Sequence, residues 1–219
     1  MYKPVYLLLL FMLLASSVIF AQNNNSDPRK DFELWTRAGL SKELLSDFEV
    51  EVEAGYRIDE NLTRTKKVFG DICVTYKTVK WLHLKVKYRF SSVQDNVEHR
   101  LNGDALIRMD INRLRITLRN RLQREWVPTK DPKDFLRERL KFNYDIRNFP
   151  VDLFVSEEVW YRFNTDENEL KKFWTDVGME WKINKKNAVE LFFRLSREIN
   201  VNNPLHSNIV GLEFNHAFD

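Results

Sequence analysis

Apolar and polar residues alternate along most of this chain, starting shortly after an apolar N-terminal stretch. In the segment 48–57, apolar residues stand at the even positions, with Glu49, Glu51 and Glu53 between them. The segment 81–92 repeats the pattern with histidine, lysine and arginine at the intervening positions. Successive side chains of a β-strand point to opposite faces, so a period of two predicts strands with one apolar and one polar face.

Eleven segments of this kind are separated by clusters of turn residues, and none has the period of a helix. They cover residues 32–43, 47–59, 63–78, 81–92, 98–111, 113–127, 133–147, 150–164, 171–184, 187–201 and 207–218. Strands of soluble sandwiches usually have about five or six residues, whereas a strand that crosses a membrane needs about nine to eleven. Because most of these segments are longer than ten residues, the pattern predicts an all-β chain that forms a single antiparallel transmembrane β-barrel of 10 to 12 strands.

The last segment, VGLEFNHAFD, has one apolar face that ends in an aromatic residue. This face consists of Val210, Leu212, Phe214, His216 and Phe218. The segment resembles the C-terminal assembly signal of bacterial outer-membrane β-barrels, although Asp219 follows the aromatic residue here. The resemblance implies an outer-membrane location in a Gram-negative cell, with the barrel-assembly machinery as a partner during biogenesis.

Aromatic residues of the apolar face stand near the ends of the segments, while aliphatic residues fill the middles. They are Tyr56, Tyr76, Tyr88, Phe90, Trp126, Tyr144, Tyr161, Phe163, Trp181 and Phe218. Two aromatic girdles around a lipid-facing band are typical of membrane barrels. The alternative is a soluble periplasmic β-barrel binding protein, whose apolar face would point inward with the same period.

The N-terminus has the composition of a secretory leader. One basic residue, Lys3, precedes an apolar run, and Ala21 provides a small residue before the cleavage point. We therefore expect a removed signal peptide at 1–21, a flexible periplasmic lead-in at 22–31 and the barrel at 32–219. The formal charge of +3 falls to about +2 without Lys3, which gives no reason to expect a nucleic-acid partner.

The connections between the segments predict an orientation. Short ones fall at 45–47, 78–80, 110–112, 148–150 and 184–186, and longer polar ones at 59–63, 91–97, 128–133, 166–169 and 202–207. In outer-membrane barrels, short turns face the periplasm and longer loops face outward. If both chain ends are periplasmic, the strand number must be even, so the eleven segments predict ten or twelve strands.

Two stretches carry a resemblance to a known family. The sequence WTRAGLSKELLSDFEVEVEAGYR near the start and EHRLNGDALIR in the middle are similar to the DUF2490 family of Bacteroidetes-type bacteria. The resemblance covers nearly the whole mature chain and implies the barrel fold and its location. The family brings no established activity with it.

Charged residues crowd the predicted inner face. The basic group is Lys85, Lys87, Arg89, Arg100, Arg108, Arg113, Arg115, Arg119, Arg121, Arg137, Arg139 and Lys141. The acidic group is Glu49, Glu51, Glu53, Glu158, Asp176, Glu180, Glu190 and Glu213. We expect the two groups to occupy facing arcs of a narrow lumen. They would either fill it with neutralising ion pairs, as in a structural barrel, or line a small porin-like passive pore that favours small anionic solutes.

An enzyme is the remaining alternative, because a small barrel could modify lipids at its outer rim. His99 and His206 could lie there with a serine nucleophile and an orienting acid. The candidates are Ser91, Ser92 and Ser207 for the nucleophile and Asp95 and Glu98 for the acid. Because the spacing defines no catalytic set, no metal site and no phosphate loop, we assign no catalytic residue, metal or cofactor.

Glu157, Arg124 and Arg197 are charged residues that fall on the apolar face. For Glu157 we expect a bulge at 156–158 that turns it inward, because a carboxylate at the middle of a membrane is unfavourable. Arg124 and Arg197 stand near the outer ends of their segments. There they could bind lipopolysaccharide phosphates, which makes outer-membrane lipid the second expected partner.

Deletion of residues 210–219 should abolish membrane insertion, because it removes the assembly signal. The measurement is the heat-modifiable migration of the protein on gels, which reports a folded barrel. Normal heat-modifiable migration of the truncated chain would contradict the assignment.

Overall fold

The computed structural model describes residues 28–93, 96–128, 130–164 and 168–218, which form one closed β-barrel. The predicted leader at 1–21, most of the predicted lead-in and Asp219 lie outside the described residues. The strands are β1 (Arg29–Leu45), β2 (Phe48–Asp59), β3 (Arg64–Val79), β4 (Leu82–Val93), β5 (Asn96–Ile111), β6 (Leu114–Trp126), β7 (Lys133–Asp145), β8 (Val151–Phe163), β9 (Glu169–Lys182), β10 (Asn187–Glu198) and β11 (Leu205–Phe218). In the described ranges we find no helix with the length and apolarity that crossing a membrane requires.

The barrel closes through a parallel pair of strands. Each strand from β1 to β11 is antiparallel to the next one in the chain. β1 and β11, in contrast, pair in parallel from Arg29 opposite Leu205 to Lys42 opposite Phe218. The eleven segments are therefore confirmed as eleven strands, and the expectation of an even number is wrong. That expectation assumed that both chain ends lie on the same side, whereas the parallel pairing of β1 with β11 places them at opposite ends and requires an odd count.

The connections lie at two ends of the barrel. The turn end carries residues 46–47, 80–81, 112–113, 146–150 and 183–186, and the loop end carries the described connecting residues 60–63, 127–128, 130–132, 164, 168 and 199–204. Arg29 begins β1 at the loop end, inside the range predicted as a lead-in, and β11 ends with Phe218 at the turn end. The two ends of the described chain therefore lie at opposite ends of the barrel.

Alternate side chains face the outside and the inside of the barrel, as the sequence predicts. Val52, Ile72 and Val86 on the outer face are about half exposed, whereas charged residues such as Asp71 and Lys87 on the inner face are buried. Aromatic rings cluster near both ends of the outer face. Phe48 stacks on Tyr76 at the turn end with ring centroids 4.8 Å apart. The outer surface is therefore an apolar band with aromatic residues near its edges.

Phenylalanine rings on the inner face lie over glycines of neighbouring strands. Phe69 pairs with Gly55, and Phe192 pairs with Gly211. A Cβ atom at either glycine would overlap the facing ring. Glycine is needed at these two positions because it lets the ring lie flat against the strand backbone.

The bulge expected around Glu157 is absent. β8 keeps an unbroken register with β7 and β9 through this point, with Glu157 opposite Leu140 and Thr175. Glu157 therefore stays on the outer face, and the hydroxyl of Thr175 donates a 2.7 Å hydrogen bond to its carboxylate. The bulge was expected from the cost of the exposed charge alone, whereas the neighbouring strand supplies a donor without disturbing the ladder.

The parallel closure predicts that Arg29 and the C-terminal strand end are reached from opposite sides of a membrane. In a Cys73→Ser background, Arg29→Cys should react with an impermeant maleimide in intact cells, as should Asn61→Cys at the loop end. Ser46→Cys at the turn end should react only after the outer membrane is permeabilised. If Arg29→Cys followed Ser46→Cys instead, the parallel pairing of β1 and β11 would be wrong.

Candidate functional site

The barrel interior contains two cavities that meet near its middle. The turn-side cavity has a volume of about 350 Å³ and is lined by charged residues including Glu51, Arg108 and Arg139. The loop-side cavity has a volume of about 500 Å³ and lies beneath the loop end, with Phe135 and Arg162 in its wall. Both cavities are closed laterally by the strands, so a solute can reach them only along the barrel axis.

A waist of aromatic rings and guanidinium groups separates the two cavities. Trp35, Trp174, Arg57 and Arg100 line both of them. The rings of Trp35 and Trp174 meet edge to face with centroids 5.6 Å apart, and Trp160 meets Trp174 at 4.6 Å. Inward tryptophans from β1, β8 and β9 therefore converge where the two cavities meet.

Arginines lie over the faces of these rings. The guanidinium carbon of Arg57 lies 3.6 Å from the ring centre of Trp35, that of Arg137 3.4 Å from Trp160 and that of Arg194 4.1 Å from Trp174. A cation over an aromatic face in a poorly hydrated site is stabilised by about 2 kcal/mol. The stacking holds the guanidinium groups in place and fixes the width of the waist.

Glu158 is among the most enclosed carboxylates of the interior and is only 1 % exposed. It lies between two guanidinium groups, 2.6 Å from Nε of Arg137 and 2.9 Å from an Nη atom of Arg119. Arg137 also donates a 2.6 Å hydrogen bond to Gln123. A single carboxylate thus neutralises arginines from β6 and β7 at once.

Other ion pairs join residues that face each other on adjacent strands. Asp71 of β3 accepts two 2.6 Å hydrogen bonds from Arg89 of β4, and Asp104 of β5 accepts two from Arg121 of β6. Bidentate carboxylate–guanidinium pairs are the strongest of their type. Asp71 and Asp104 were not among the predicted acids of the inner face, although both alternate correctly with the apolar residues of their strands.

Most of the predicted inner-face charges line the turn-side cavity. These are Lys85, Lys87, Arg89, Arg100, Arg108, Arg119, Arg121, Arg137, Arg139 and Lys141 among the bases, and Glu51, Glu53, Glu158, Asp176, Glu190 and Glu213 among the acids. Arg113, Arg115, Glu49 and Glu180 line neither cavity. Arg115 pairs with Asp110 at the turn end instead, 2.7 Å away.

The expected arrangement of two facing arcs is not what the ion pairs show. Arg89 and Arg121 find their acids one strand away, and Lys87 reaches Glu53 two strands away at 2.5 Å. Lys141 of β7 and Glu190 of β10 are three strands apart and form an ion pair at 3.1 Å. Charges are therefore neutralised mostly along the wall, because the cross-strand neighbour is the nearest partner that a short carboxylate can reach.

Positive charge remains in excess after these pairs are formed. Thirteen basic and seven acidic residues line the turn-side cavity, and two of the bases, Arg89 and Arg100, pair with acids outside this lining. Within the described residues, neither Arg108 nor Arg139 forms an ion pair, and the buried Nε atoms of Arg119 and Arg139 have no hydrogen-bond partner. Unsatisfied buried donors are rare because they lose their hydration without replacement. The cavity therefore offers free donors and net positive charge to an anion.

The histidines, serines and acids considered as a possible catalytic site do not lie close together. His99 on β5 and His206 on β11 lie on opposite sides of the barrel and face outward, and His99 accepts or donates a 2.6 Å hydrogen bond with Tyr88. Ser91 and Ser207 are buried, Ser92 faces outward, and Asp95 lies outside the described residues. Glu98 is held by Lys67 at 2.7 Å. No group of three potential metal ligands occurs in the described ranges.

The two outer arginines already have partners in the chain. Arg124 is 59 % exposed and binds Asp134 through two 2.7 Å hydrogen bonds. Arg197 donates to the backbone oxygens of Ser196 and Ser207. Lipopolysaccharide binding at these residues stays a prediction, in which a phosphate would share or replace these contacts.

The fold and its interior define a closed β-barrel with a charged, two-chambered lumen. Residues 32–204 match the family model described as "Protein of unknown function (DUF2490)", so the chain belongs to this family and the predicted membership is confirmed. No curated protein matches the sequence.

A solved structure with a similar fold is described as "Bacterial polysaccharide outer membrane secretin". The two chains are 12 % identical, and the match has a TM-score of 0.57. It covers 81 % of this chain and 67 % of the other one. At this identity, the similarity concerns the fold alone.

Replacing Glu158 with glutamine should lower the free energy of unfolding by about 3 to 5 kcal/mol, because two buried guanidinium groups lose their counter-charge. Urea unfolding of the refolded barrel, followed by tryptophan fluorescence, measures the change. Glu49→Gln is the control, since Glu49 is 30 % exposed and lies 3.4 Å from Lys77. Such an exposed pair is worth about 1 kcal/mol or less. Equal losses in the two variants would contradict the neutralising role of Glu158.

Proposed function

We propose that the protein is an outer-membrane β-barrel that gives small anions a narrow, selective route through its lumen. In this arrangement the turn end faces the periplasm, and the loop end faces the outside of the cell. Solutes enter the loop-side cavity, pass the aromatic waist and meet the excess positive charge of the turn-side cavity.

The outer surface supports a place in a membrane. Its middle is apolar, its aromatic residues gather near the edges, and its strands have 12 to 17 residues. These are the features that lipid-exposed barrels need, since a closed ladder leaves no unpaired backbone groups toward lipid. The similar structure is that of a protein described as an outer-membrane one, which supports the same location for this chain.

The observation that carries the anion preference is the set of cations without an acidic partner. Arg108 and Arg139 line the turn-side cavity and form no ion pair with a described residue. In a narrow lumen with low-dielectric walls, a fixed charge acts on a passing ion much more strongly than in bulk water. Unpaired arginines therefore attract anions and repel cations at this depth.

Acidic saccharides are a second candidate for the solute. Aromatic residues and four lysines, Lys66, Lys133, Lys171 and Lys172, line the loop-side cavity. Rings bind the apolar faces of sugars, and lysines bind their carboxylate or phosphate groups. The protein of similar fold is described as a polysaccharide secretin, which favours testing this class beside simple anions.

The purified, refolded protein should conduct in planar bilayers and favour chloride over potassium. Arg139→Gln should reduce the permeability ratio roughly three- to tenfold, because a full charge about 10 Å from the ion is worth on the order of 1 kcal/mol before salt screening. Reversal potentials in a KCl gradient measure the ratio. An acidic oligosaccharide added on the loop side should block the current if saccharides enter.

Arg115→Gln serves as the control, because it removes the same charge at the exposed turn end, outside both cavities. It should leave the permeability ratio nearly unchanged. Absence of any current from a correctly folded barrel would favour a purely structural barrel. An equal loss of selectivity in both variants would show that the cavity arginines do not set the preference.

A further inference from the structure

The outer face carries one feature that neither the ladder nor the lumen requires, a polar row at half height. It consists of Asn120 on β6, Glu138 on β7, Glu157 on β8 and Thr175 on β9. Asn120 and Glu157 are each the seventh of 13 residues in their strands, Glu138 is the sixth of 13 and Thr175 is the seventh of 14. Among the described strands, only β7 and β8 carry a carboxylate at the centre of their outward side.

The four residues form a continuous line across neighbouring strands. Asn120 pairs in register with Glu138, and Glu157 pairs with Thr175. Glu138 and Glu157 are diagonal neighbours, since Glu138 stands opposite Val159, two residues beyond Glu157. Side chains in such positions lie about 5 to 8 Å apart. The row is therefore one surface feature of four strands.

Within one copy of the chain, only some polar side chains of this row have a hydrogen-bond partner. Thr175 donates to Glu157, but the side chains of Glu138 and Asn120 form no hydrogen bond or ion pair with any described residue. The nearest outward arginine, Arg124, is already bound to Asp134 toward the loop end. In the membrane position proposed above, two carboxylates and an amide would face lipid tails without water. Polar groups in that position are unfavourable unless a partner satisfies them.

We infer that this face of β6 to β9 is the interface through which two copies of the chain form a dimer in the membrane. The inference rests on the proposed membrane location. Two copies inserted in the same direction are related by a two-fold axis along the membrane normal, which reverses the horizontal order of the row. Asn120 then faces Thr175 of the second copy, and Glu138 faces Glu157 of the second copy.

This pairing matches donors with acceptors. The amide of Asn120 can donate to and accept from a threonine hydroxyl, and a carboxylic acid can donate to a carboxylate across the axis. A two-fold interface must be self-complementary in this way. A cationic partner protein would neutralise Glu138 and Glu157 but would leave the position of Asn120 and Thr175 at the ends of the row unexplained.

The surface around the row suits close approach of a second barrel. Gly103 and Ala105 of β5 lie beside the row, and a Cβ atom at Gly103 would contact nothing within 4 Å. Leu122 and Val177 on the same face are exposed by 59 % and 50 %. Apolar contacts above and below the row would exclude lipid from its hydrogen bonds, which strengthens them.

The test uses the full chain in lipid vesicles at a high lipid-to-protein ratio, with single-molecule photobleaching to count subunits. Wild-type protein should show two-step bleaching. The double variant Glu138→Leu, Glu157→Leu should be monomeric, with the dimer dissociation constant raised at least tenfold. The matched variant Glu138→Gln, Glu157→Gln should remain dimeric, because the amides keep both donor and acceptor. Leucine suits the lipid-facing wall, so the leucine variant should still insert and show heat-modifiable migration.

Disulfide cross-linking locates the interface independently. In a Cys73→Ser background, Leu140→Cys beside the expected axis should form a disulfide between copies. Val52→Cys, which is outward and 51 % exposed on the opposite wall, should not. Inserted wild-type protein that bleaches in one step overturns the dimer and leaves the proposed function standing. The dimer is likewise overturned, and the proposed function left standing, if the leucine variant dimerises as wild type does or if only Val52→Cys cross-links. Failure of wild-type protein to insert overturns the membrane proposal itself.

Discussion

Neutralisation of buried guanidinium groups is the constraint on which the interior of this barrel depends. An eleven-stranded barrel has a narrow lumen, and here arginines from seven of the described strands line the turn-side cavity. A buried arginine cannot lose its proton under ordinary conditions, so it must find a carboxylate, an aromatic face or an exogenous anion. Glu158, with one arginine on each side, and the tryptophans of the waist supply the first two.

Alternation in the sequence predicts the strands well, because the side chains of a strand report its two environments at every second position. It cannot predict how the first and last strands meet. The parallel pairing of β1 with β11 joins residues about 175 positions apart, such as Arg29 and Leu205, through backbone groups that carry no sequence signal. The even count was expected from a rule about other barrels and not from any residue of this chain.

For the barrel interior too, the sequence predicts what depends on a single strand and does not predict the contacts between strands. The inward direction of Arg89 or Arg121 follows from its strand alone, and the sequence predicts it. Asp71 and Asp104 face inward by the same alternation, but which acid pairs with each arginine depends on the register between strands. Glu157 was treated as an isolated charge that needed a bulge, whereas its hydrogen bond to Thr175 comes from the next strand. The pairings that the sequence does not predict are thus contacts between strands, where a single strand's pattern carries no information.

The arginines that stabilise the barrel and those that would act on a passing solute are different residues of the same charged lining. Arginines such as Arg89 and Arg137 are held by carboxylates or rings and cannot turn toward a solute without leaving a buried charge uncompensated. Arg108 and Arg139 form no ion pair with a described residue, so under the proposed function an anion would bind them without breaking a pair. Removing an arginine of the first kind should therefore damage the wall, whereas removing one of the second kind should change selectivity and leave the barrel intact. Because the lining contains both kinds, the barrel can be rigid and still bind a mobile anion.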